Sequence, residues 1–384
     1  MRLTMWRQNA AVPGQGMVWP MDTGTNRGQP RYLSRAAAVI RDQNPGDFAF
    51  VMATGIISTG HFLLGPSWLS QTLLVIASIG FVVLIVALVI RLARYRSRVA
   101  ADFRDPERVF GFFAVSASCD LLGTRFASAG HPMVTTVLAC LAAAVWFVLT
   151  YGVPASLLVA GQHESVLGGV DGTWLLWVVA TQSLSTDAST LVPIWPSQSG
   201  LLATAAVAFW SVGLVLYLLL VSLILLRWLT VAMTPATLSP PYWILMGATG
   251  ITVLAGADIL NLPGTFAAVS AIAGFVKGVC FVFWSFGTWW IPLLIVLGFW
   301  RHVLHRWPLR YEPALWTVVF PIGMYSVATL TFGKTISLSF MEPLSHGVLW
   351  VACAGWLLVA AGYLARLARR RTAVRHAADL TGAR

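Results

Sequence analysis

The stretch 316–334, WTVVFPIGMYSVATLTFGK, decides the fold class, because it is long and apolar enough to cross a lipid bilayer. About 20 helical residues at about 1.5 Å each span a hydrocarbon core of roughly 30 Å. Pro321 interrupts the segment, and small or hydroxyl residues follow it. A helix that faces only lipid has no use for such residues, so one face is expected on protein or on an aqueous path. Phe320, just before the bend, is either a plug of that path or an ordinary packing residue.

The composition predicts an all-α integral membrane protein. The 384 residues are 58% hydrophobic and 10% charged, with a mean hydropathy of +0.76, whereas soluble domains carry about 25% charged residues. Ten apolar segments are predicted, at 47–64, 69–92, 108–127, 132–152, 172–192, 201–228, 241–261, 270–303, 314–333 and 344–368. The eighth exceeds the length of one straight span, and one interpretation makes its first turns a separate interfacial piece.

The basic residues predict the orientation of the chain in the membrane. The formal net charge is +11, and all but three of the 25 basic residues lie before the first segment, after even-numbered segments or at the carboxyl end. The exceptions are Arg125, Lys277 and Lys334. By the positive-inside rule, both termini are expected in the cytoplasm and the protein in the cell membrane as a multi-pass protein. We therefore interpret the charge as a topology signal and expect no nucleic-acid partner. Residues 1–44 are predicted to be a disordered basic tail, 45–368 the membrane domain and 369–384 a second basic tail.

Odd and even segments differ in composition. The second and sixth are uniformly apolar, whereas odd segments such as FVMATGIISTG (50–60) and VVATQSLSTDAST (178–190) collect small and polar residues. The bilayer penalises polar groups unless they face protein or water. This alternation predicts five helical hairpins, each with an inner helix beside a central path and an outer helix toward lipid. The alternative is that small residues only permit close helix packing.

Three stretches resemble the tellurite-resistance and C4-dicarboxylate transporter family, whose relatives include the slow-type anion channel. They are NPGDFAFVMATGIIS (44–58), PYWILMGATGITVLAG (241–256) and the run from FGTWWIPLL to VFPIGMYSVAT within 286–329. The resemblance implies ten helices as five hairpins in a quasi-five-fold arrangement around a central pore, with homotrimers as the assembly. It also implies that Phe320, at the bend set by Pro321, blocks the pore. The sequence departs from the family pattern in having a mid-span proline in only one inner segment.

Polar side chains of the inner segments are the remaining candidate site residues. Hydroxyl and amide groups are predicted to line the path, at Thr54, Ser58, Gln182, Ser185, Ser326 and Thr329. Three acids fall in the outer halves of inner segments, at Asp120, Asp187 and Asp258. They are interpreted either as rim residues, with Arg125 as a partner for Asp120, or as a protonatable site that couples proton movement to anion movement.

The expected function is transport of small anions such as tellurite, sulfite, C4-dicarboxylates or inorganic anions. An enzyme is not expected, because no catalytic or nucleotide-binding motif is found, and neither a cofactor nor a metal is predicted. The four cysteines have no ligand spacing, and His302 and His305 are interpreted as solvated interface residues. The alternative function is a non-transporting membrane scaffold or sensor that engages a partner through its basic tails.

Overall fold

The computed structural model describes residues 37–159 and 166–382, so most of the predicted tail 1–44 lies outside the described residues. These residues contain no β-strand, and from Ile40 onward they form one compact unit. Ten long helices follow one another, numbered here in chain order: α1 (Ala49–Leu64), α2 (Ser67–Arg94), α3 (Phe113–Ser128), α4 (Pro132–Val159), α5 (Leu176–Leu191), α6 (Ser199–Thr230), α7 (Ile244–Leu260), α8 (Ala267–Phe299), α9 (Trp316–Thr335) and α10 (Met341–Gly382).

The predicted all-α membrane fold is confirmed. Among the described residues, nine helices are long and apolar enough to cross a membrane, and α5 is not one of them. The sequence of α5, LWVVATQSLSTDASTL, explains the difference, because hydroxyl and amide residues lower its mean hydropathy. Such a segment is compatible with a membrane protein only when it is surrounded by other helices, and nearly all of α5 is buried.

The helices pack as five consecutive hairpins. Each odd-numbered helix packs along the even-numbered helix that follows it. Each even-numbered helix also contacts the next odd-numbered helix, and α10 closes the series by contacting α1. The odd-numbered helices are therefore the inner helices and the even-numbered helices are the outer helices. The same contact rule holds in all five hairpins, which indicates a five-fold repeat of structure without a repeat of sequence.

The five inner helices form a closed ring. Helix α1 contacts α3, α3 contacts α5, α5 contacts α7, α7 contacts α9, and α9 contacts α1. Burial agrees with the division into inner and outer helices. In the most apolar 18-residue stretch, 78% of the inner helix α9 is buried, compared with 11% of the outer helix α10. The inner helices thus supply the packed interior, and the outer helices present their apolar side chains outward, where a membrane would cover them.

A second ring lies where the inner helices begin. Each inner helix is preceded by a 3-10 turn, at Pro45–Phe48, Val109–Phe112, Gly172–Leu175, Pro240–Trp243 and Pro313–Leu315. Each turn contacts the turns on both sides of it, and the fifth contacts the first. We call this ring of turns the collar. Because its five members contact one another, all inner helices begin at the same end of the bundle.

Glycines allow the turns of the collar to approach closely. A Cβ atom on Gly111 would lie 2.9 Å from the backbone nitrogen of Gly46. A Cβ atom on Gly172 would lie 2.0 Å from the carbonyl oxygen of Pro241. Both distances are shorter than van der Waals contact. The neighbouring atoms belong to the backbone, so they cannot move independently of their turn. These two contacts join the first turn to the second and the third to the fourth.

Two ion pairs, one of them buried, hold the linking segment between the first two hairpins. The short helix Arg96–Arg104 follows α2 and carries Asp102. The Asp102 carboxylate forms ion pairs with Arg91, whose Nη2 lies 2.6 Å from Oδ2, and with Arg108, whose Nε lies 3.0 Å from Oδ1. Arg91 also donates through Nε to the Arg41 carbonyl at 3.0 Å. This network anchors the chain at the end of the bundle where the collar and most of the arginines lie.

One detail of the helices differs from expectation. The interpretation of a separate interfacial piece at the start of the eighth segment is wrong, because α8 runs unbroken over Ala267–Phe299 and continues into a π-helical turn, Trp300–Leu304. Helix α8 also packs closely on α7, where Gly287 lies against the Thr249 side chain. Prolines also occur inside the outer helices, at Pro154 in α4 and Pro292 in α8.

Candidate functional site

Helix α9 packs closely against both of its neighbours in the inner ring. A Cβ atom on Gly247 of α7 would lie 2.9 Å from Pro321 Cγ. On the other side, a Cβ atom on Gly323 would lie 2.8 Å from Ile56 Cγ2 of α1. Pro321 therefore marks the face of α9 that meets α7, and Gly323 marks the face that meets α1.

A third face of α9 meets the outer helices. Ser326 Oγ donates to the Ser345 carbonyl of α10 at 2.8 Å. Thr329 Oγ1 accepts the Trp284 indole N–H of α8 at 3.0 Å. The hydroxyl group of Tyr325 on α9 lies 2.7 Å from that of Thr288 on α8. Ser326, Thr329 and Tyr325 are thus hydrogen-bonded toward the outer helices.

Phe320 lies on the remaining face of α9. Successive helical residues are about 100° apart, so Phe320 is about 180° from Thr329 and between the directions of Pro321 and Gly323. Its side chain is 1% exposed. Val327 and Thr331 share this face, at seven and eleven residues further along the helix. The face of α9 that carries Phe320 is therefore turned away from both outer helices.

The hydroxyl and amide groups predicted to line a path all have partners on outer helices. Ser58 Oγ donates to the Ser70 carbonyl at 2.7 Å, and Ser185 Oγ donates to the Ala206 carbonyl at 2.7 Å. The remaining contacts are Ser326 to Ser345, Gln182 Nε2 to the Trp210 carbonyl, Trp284 to Thr329 and Trp356 to Thr54. The structure therefore gives these six side chains a part in joining the helices, and their part in lining a path stays a prediction.

Tryptophans of the outer helices form a set of bonds that the sequence analysis did not identify. The indole N–H of Trp146 donates to Thr181 Oγ1 at 2.9 Å, and that of Trp356 donates to Thr54 Oγ1 at 2.9 Å. Trp284 makes the corresponding bond to α9, and Trp210 donates to the Thr252 carbonyl at 3.0 Å. Tryptophan prefers the membrane interface, so indoles in the middle of outer segments are a usable sign of a buried acceptor on the next inner helix.

The three inner-helix acids lie on adjacent members of the ring, and two of them are in contact. The carboxyl groups of Asp120 on α3 and Asp187 on α5 are within hydrogen-bonding reach of each other, and Asp258 on α7 is near Asp120. Asp120 and Asp187 are 2% and 3% exposed. Thr124 Oγ1 donates to Asp120 over a long 3.4 Å. Neither carboxylate oxygen of Asp187 accepts a hydrogen bond from the described residues.

Arg125 has partners other than Asp120. Its Nη2 donates to Ser70 Oγ of α2 at 3.0 Å, and its guanidinium group lies 4.2 Å from the centroid of the Phe62 ring. Among the ion pairs of the described residues, none involves Arg125. The expected pairing of Arg125 with Asp120 is therefore not present, because the side chain of Arg125 extends toward the first hairpin. Lys277 and Lys334 are exposed.

The histidines and cysteines make no metal centre in the described part of the chain, where no group of three or more His, Cys, Asp or Glu side chains could hold an ion. His302 and His305 each place Nδ1 near a backbone carbonyl, that of Trp307 and that of Trp300.

The ten-helix architecture, with an apolar exterior and a polar, closed inner ring, defines a multi-pass membrane protein. The chain belongs to the voltage-dependent anion channel family, since a sequence model of that family matches residues 43–364. It is 45% identical over 153 residues to an uncharacterized membrane protein of Mycobacterium tuberculosis, covering 40% of this chain and 77% of that relative. An uncharacterized transporter of Methanocaldococcus jannaschii is 25% identical over 334 residues, covering 83% of this chain and 92% of the transporter. The general function of the chain is therefore anion transport across a membrane.

Proposed function

We propose that small anions cross the membrane along the axis of the inner ring, and that Phe320 closes this path at the bend set by Pro321. The observation that carries the proposal is the face of α9 on which Phe320 lies. That face is about 180° from the bonds to the outer helices, and the contacts at Gly247 and Gly323 flank it. A buried phenyl ring at this position would exclude water and ions, as an apolar constriction does in other channels.

The substrate class proposed is that of small anions, including tellurite, sulfite, C4-dicarboxylates and inorganic anions. Support comes from the family, because its description names an anion channel. Lys277 and Lys334, the lysines of the chain, are exposed, and the Arg125 side chain extends toward the first hairpin, so tight electrostatic binding is not expected within the ring. Weak donors such as hydroxyl groups favour throughput over affinity. The family resemblance also leads us to propose a homotrimer with one path in each subunit.

Substitution of the proposed gate is the direct test. Phe320→Ala in reconstituted vesicles should raise anion flux severalfold, because the largest side chain on this face of α9 would be removed. Phe332→Ala is the matched control: it removes the same volume from the same helix at a buried position, on the face that meets α7. Equal flux from Phe320→Ala and the unaltered protein, with both folded, would contradict the gate. Absence of flux from every variant, together with capture of one partner through residues 1–44 or 366–384, would favour the scaffold alternative.

We further propose that the Asp120–Asp187 pair takes up a proton during transport. Two carboxylates in contact repel each other unless one is protonated or a cation lies between them. A proton on Asp120 would also provide the hydrogen bond that the Asp187 oxygens lack. The other titratable groups around the pair are Asp258 on α7, Cys119 on α3 and Cys140 on α4.

The coupling idea predicts a change in the pH dependence of uptake. Asp187→Asn preserves the shape of the side chain but removes one titrating group, so a pH gradient should stimulate uptake less than in the unaltered protein. Asp42→Asn, at an exposed ion pair with Arg41, is the control for loss of an acid elsewhere. If a liposome flux assay with and without a pH gradient gives the same ratio for Asp187→Asn and for the unaltered protein, the pair has no part in coupling.

A further inference from the structure

A cavity of about 510 Å³ lies beside the collar, at the arginine-rich end of the bundle. Its walls come from the fourth collar turn with Leu238 and Ser239, the end of α8 with Gly298 and Arg301, the link 307–315, and Val318 at the start of α9. The volume falls within the range of about 300–1,000 Å³ that is typical of small-molecule sites. The walls do not include Phe320 or the three inner-helix acids, so the cavity is separate from the proposed path.

Two polar groups in the cavity wall have no partner in the described protein. Arg301 is 8% exposed, and its Nε makes no hydrogen bond with the described residues. Its guanidinium group lies 5.7 Å from the centroid of the Trp307 ring and takes part in none of the ion pairs among the described residues. Ser239 Oγ is also buried and unbonded. A buried guanidinium group without an acceptor is costly, so a ligand that supplies an acceptor would stabilise it.

The charge of the cavity wall favours an anion. Arg301, Arg310 and His302 face it, with Glu312 as the acid of the same wall. The guanidinium group presents parallel N–H donors that match phosphate oxygens, and a hydroxyl beside it can donate a further bond. The polar atoms of Arg301 and Ser239 thus have the chemistry of a phosphate site.

The surroundings favour a phosphate that is attached to an apolar body. Leu294, Leu297 and Leu315 line the cavity together with aromatic residues. Next to it, apolar side chains at the end of α8 are exposed: Phe299, Val303 and Leu304, at 54%, 54% and 63%. In a membrane these positions would contact acyl chains near the headgroup level. Basic pockets between transmembrane helices at this depth are suited to anionic lipid headgroups.

We infer that this cavity binds the phosphate of an anionic phospholipid, with Arg301 and Ser239 as its donors and the acyl chains along the end of α8. The lipid would bridge the end of α8, the fourth collar turn and the link to α9. The site is independent of the proposed transport function, because it needs neither Phe320 nor an open path.

Competition between two phospholipids tests the inference on the full chain. The purified protein is exchanged into neutral detergent that contains equal amounts of phosphatidylglycerol and phosphatidylcholine, and retained lipid is counted by native mass spectrometry. The unaltered protein should retain phosphatidylglycerol in excess. Arg301→Gln should reduce that excess about tenfold, because a charge-assisted bond to phosphate is lost. Arg306→Gln, which removes the same charge from the neighbouring loop outside the cavity wall, should leave it unchanged.

A second variant separates occupancy of the cavity from charge. Gly298 lines the cavity, and a Cβ atom there would meet no atom within 4 Å. Gly298→Leu should occupy part of the cavity and reduce retained phosphatidylglycerol while every charge remains in place. Size-exclusion elution and the melting temperature check that each variant is folded. Equal retention of the two lipids by the unaltered protein, or equal loss in Arg301→Gln and Arg306→Gln, would overturn the inference. Stabilisation by inorganic phosphate without enrichment of phosphatidylglycerol would overturn the lipid assignment in favour of a soluble phosphate.

Discussion

Asp171 shows at the scale of one residue how burial and capping act on the same carboxyl group. It lies just before the third collar turn, and its Oδ1 accepts the Thr173 backbone N–H at 2.9 Å as well as the Thr173 hydroxyl. Burial is the largest influence on this carboxyl group and raises its pKa to about 6 from the usual 3.8, although both bonds from Thr173 oppose the change. The acid is thus retained at a position where its charged form is disfavoured.

This balance predicts a pH dependence of stability. The pKa of Asp171 in the folded protein, about 6, is above the unfolded value of 3.8. Between these values the folded protein binds more protons than the unfolded chain, so the contribution of Asp171 to stability increases as the pH falls through about 6. Asp171→Asn keeps the cap, because asparagine accepts the same backbone bond, and it should reduce the rise in melting temperature on acidification.

Asp105 provides the control for this prediction. Its Oδ1 accepts the Glu107 backbone N–H at 2.9 Å in an exposed turn between the short helix Arg96–Arg104 and the second collar turn. Asp105→Asn changes the net charge by the same amount, so it shows what the loss of one acid alone does to the melting temperature. If the two variants have the same profile, the pH dependence does not arise at Asp171.

The sequence singled out individual residues, but it did not show in which direction their side chains point. Phe320 could be singled out because the ring next to Pro321 and the family resemblance led to the same position. For Ser58, Ser185 and Ser326, the presence of a hydroxyl in an apolar segment predicted a polar partner, but it could not distinguish an anion from the carbonyl of a neighbouring helix. The rotation of each helix about its axis depends on contacts such as that of Gly323 with Ile56, which sequence periodicity does not contain.

At the scale of helices and turns, the collar depends on glycines that no hydropathy pattern reveals. Gly172→Ala would place a methyl group 2.0 Å from the Pro241 carbonyl oxygen. Since that oxygen is part of the backbone, the third and fourth turns must separate, and we expect a loss of roughly 1–3 kcal/mol of stability. The melting temperature of the purified protein in detergent measures this loss.

Gly168 is the control position, because a glycine-to-alanine substitution there would meet no neighbouring atom. It lies four residues before Gly172 in the sequence, and a Cβ atom there would meet no atom within 4 Å. Gly168→Ala should therefore leave the melting temperature almost unchanged. Equal effects of the two substitutions would mean that the collar tolerates separation of its turns, and that the close contact contributes little to the fold.

The extents of the helices were predicted well, because apolar length is the dominant signal in a membrane protein. The predicted segment 69–92 compares with Ser67–Arg94, and 201–228 compares with Ser199–Thr230. The 3-10 turns and the short helix Arg96–Arg104 could not be predicted in this way, since they are too short and too polar for a hydropathy window. The last helix also continues to Gly382, beyond the apolar segment, because the basic residues after 368 are good helix formers.

The distribution of arginines predicts which end of the bundle lies in the cytoplasm. Arg98, on the exposed linking helix, is at the arginine-rich end, and Gln198, between α5 and α6, is at the opposite end. Gln198→Cys should react with a membrane-impermeant maleimide in intact cells, whereas Arg98→Cys should react only after permeabilisation. The reverse pattern would invert the orientation proposed for the chain and both of its termini.

The collar has a consequence for electrostatics that extends beyond packing. Since every inner helix begins there, five helix macrodipoles point their positive ends toward one end of the ring, each equivalent to roughly half an elementary charge. An anion that approaches from that side is attracted by the peptide backbone itself. No substitution of an arginine or lysine removes this attraction, because it arises from the direction in which the five inner helices run.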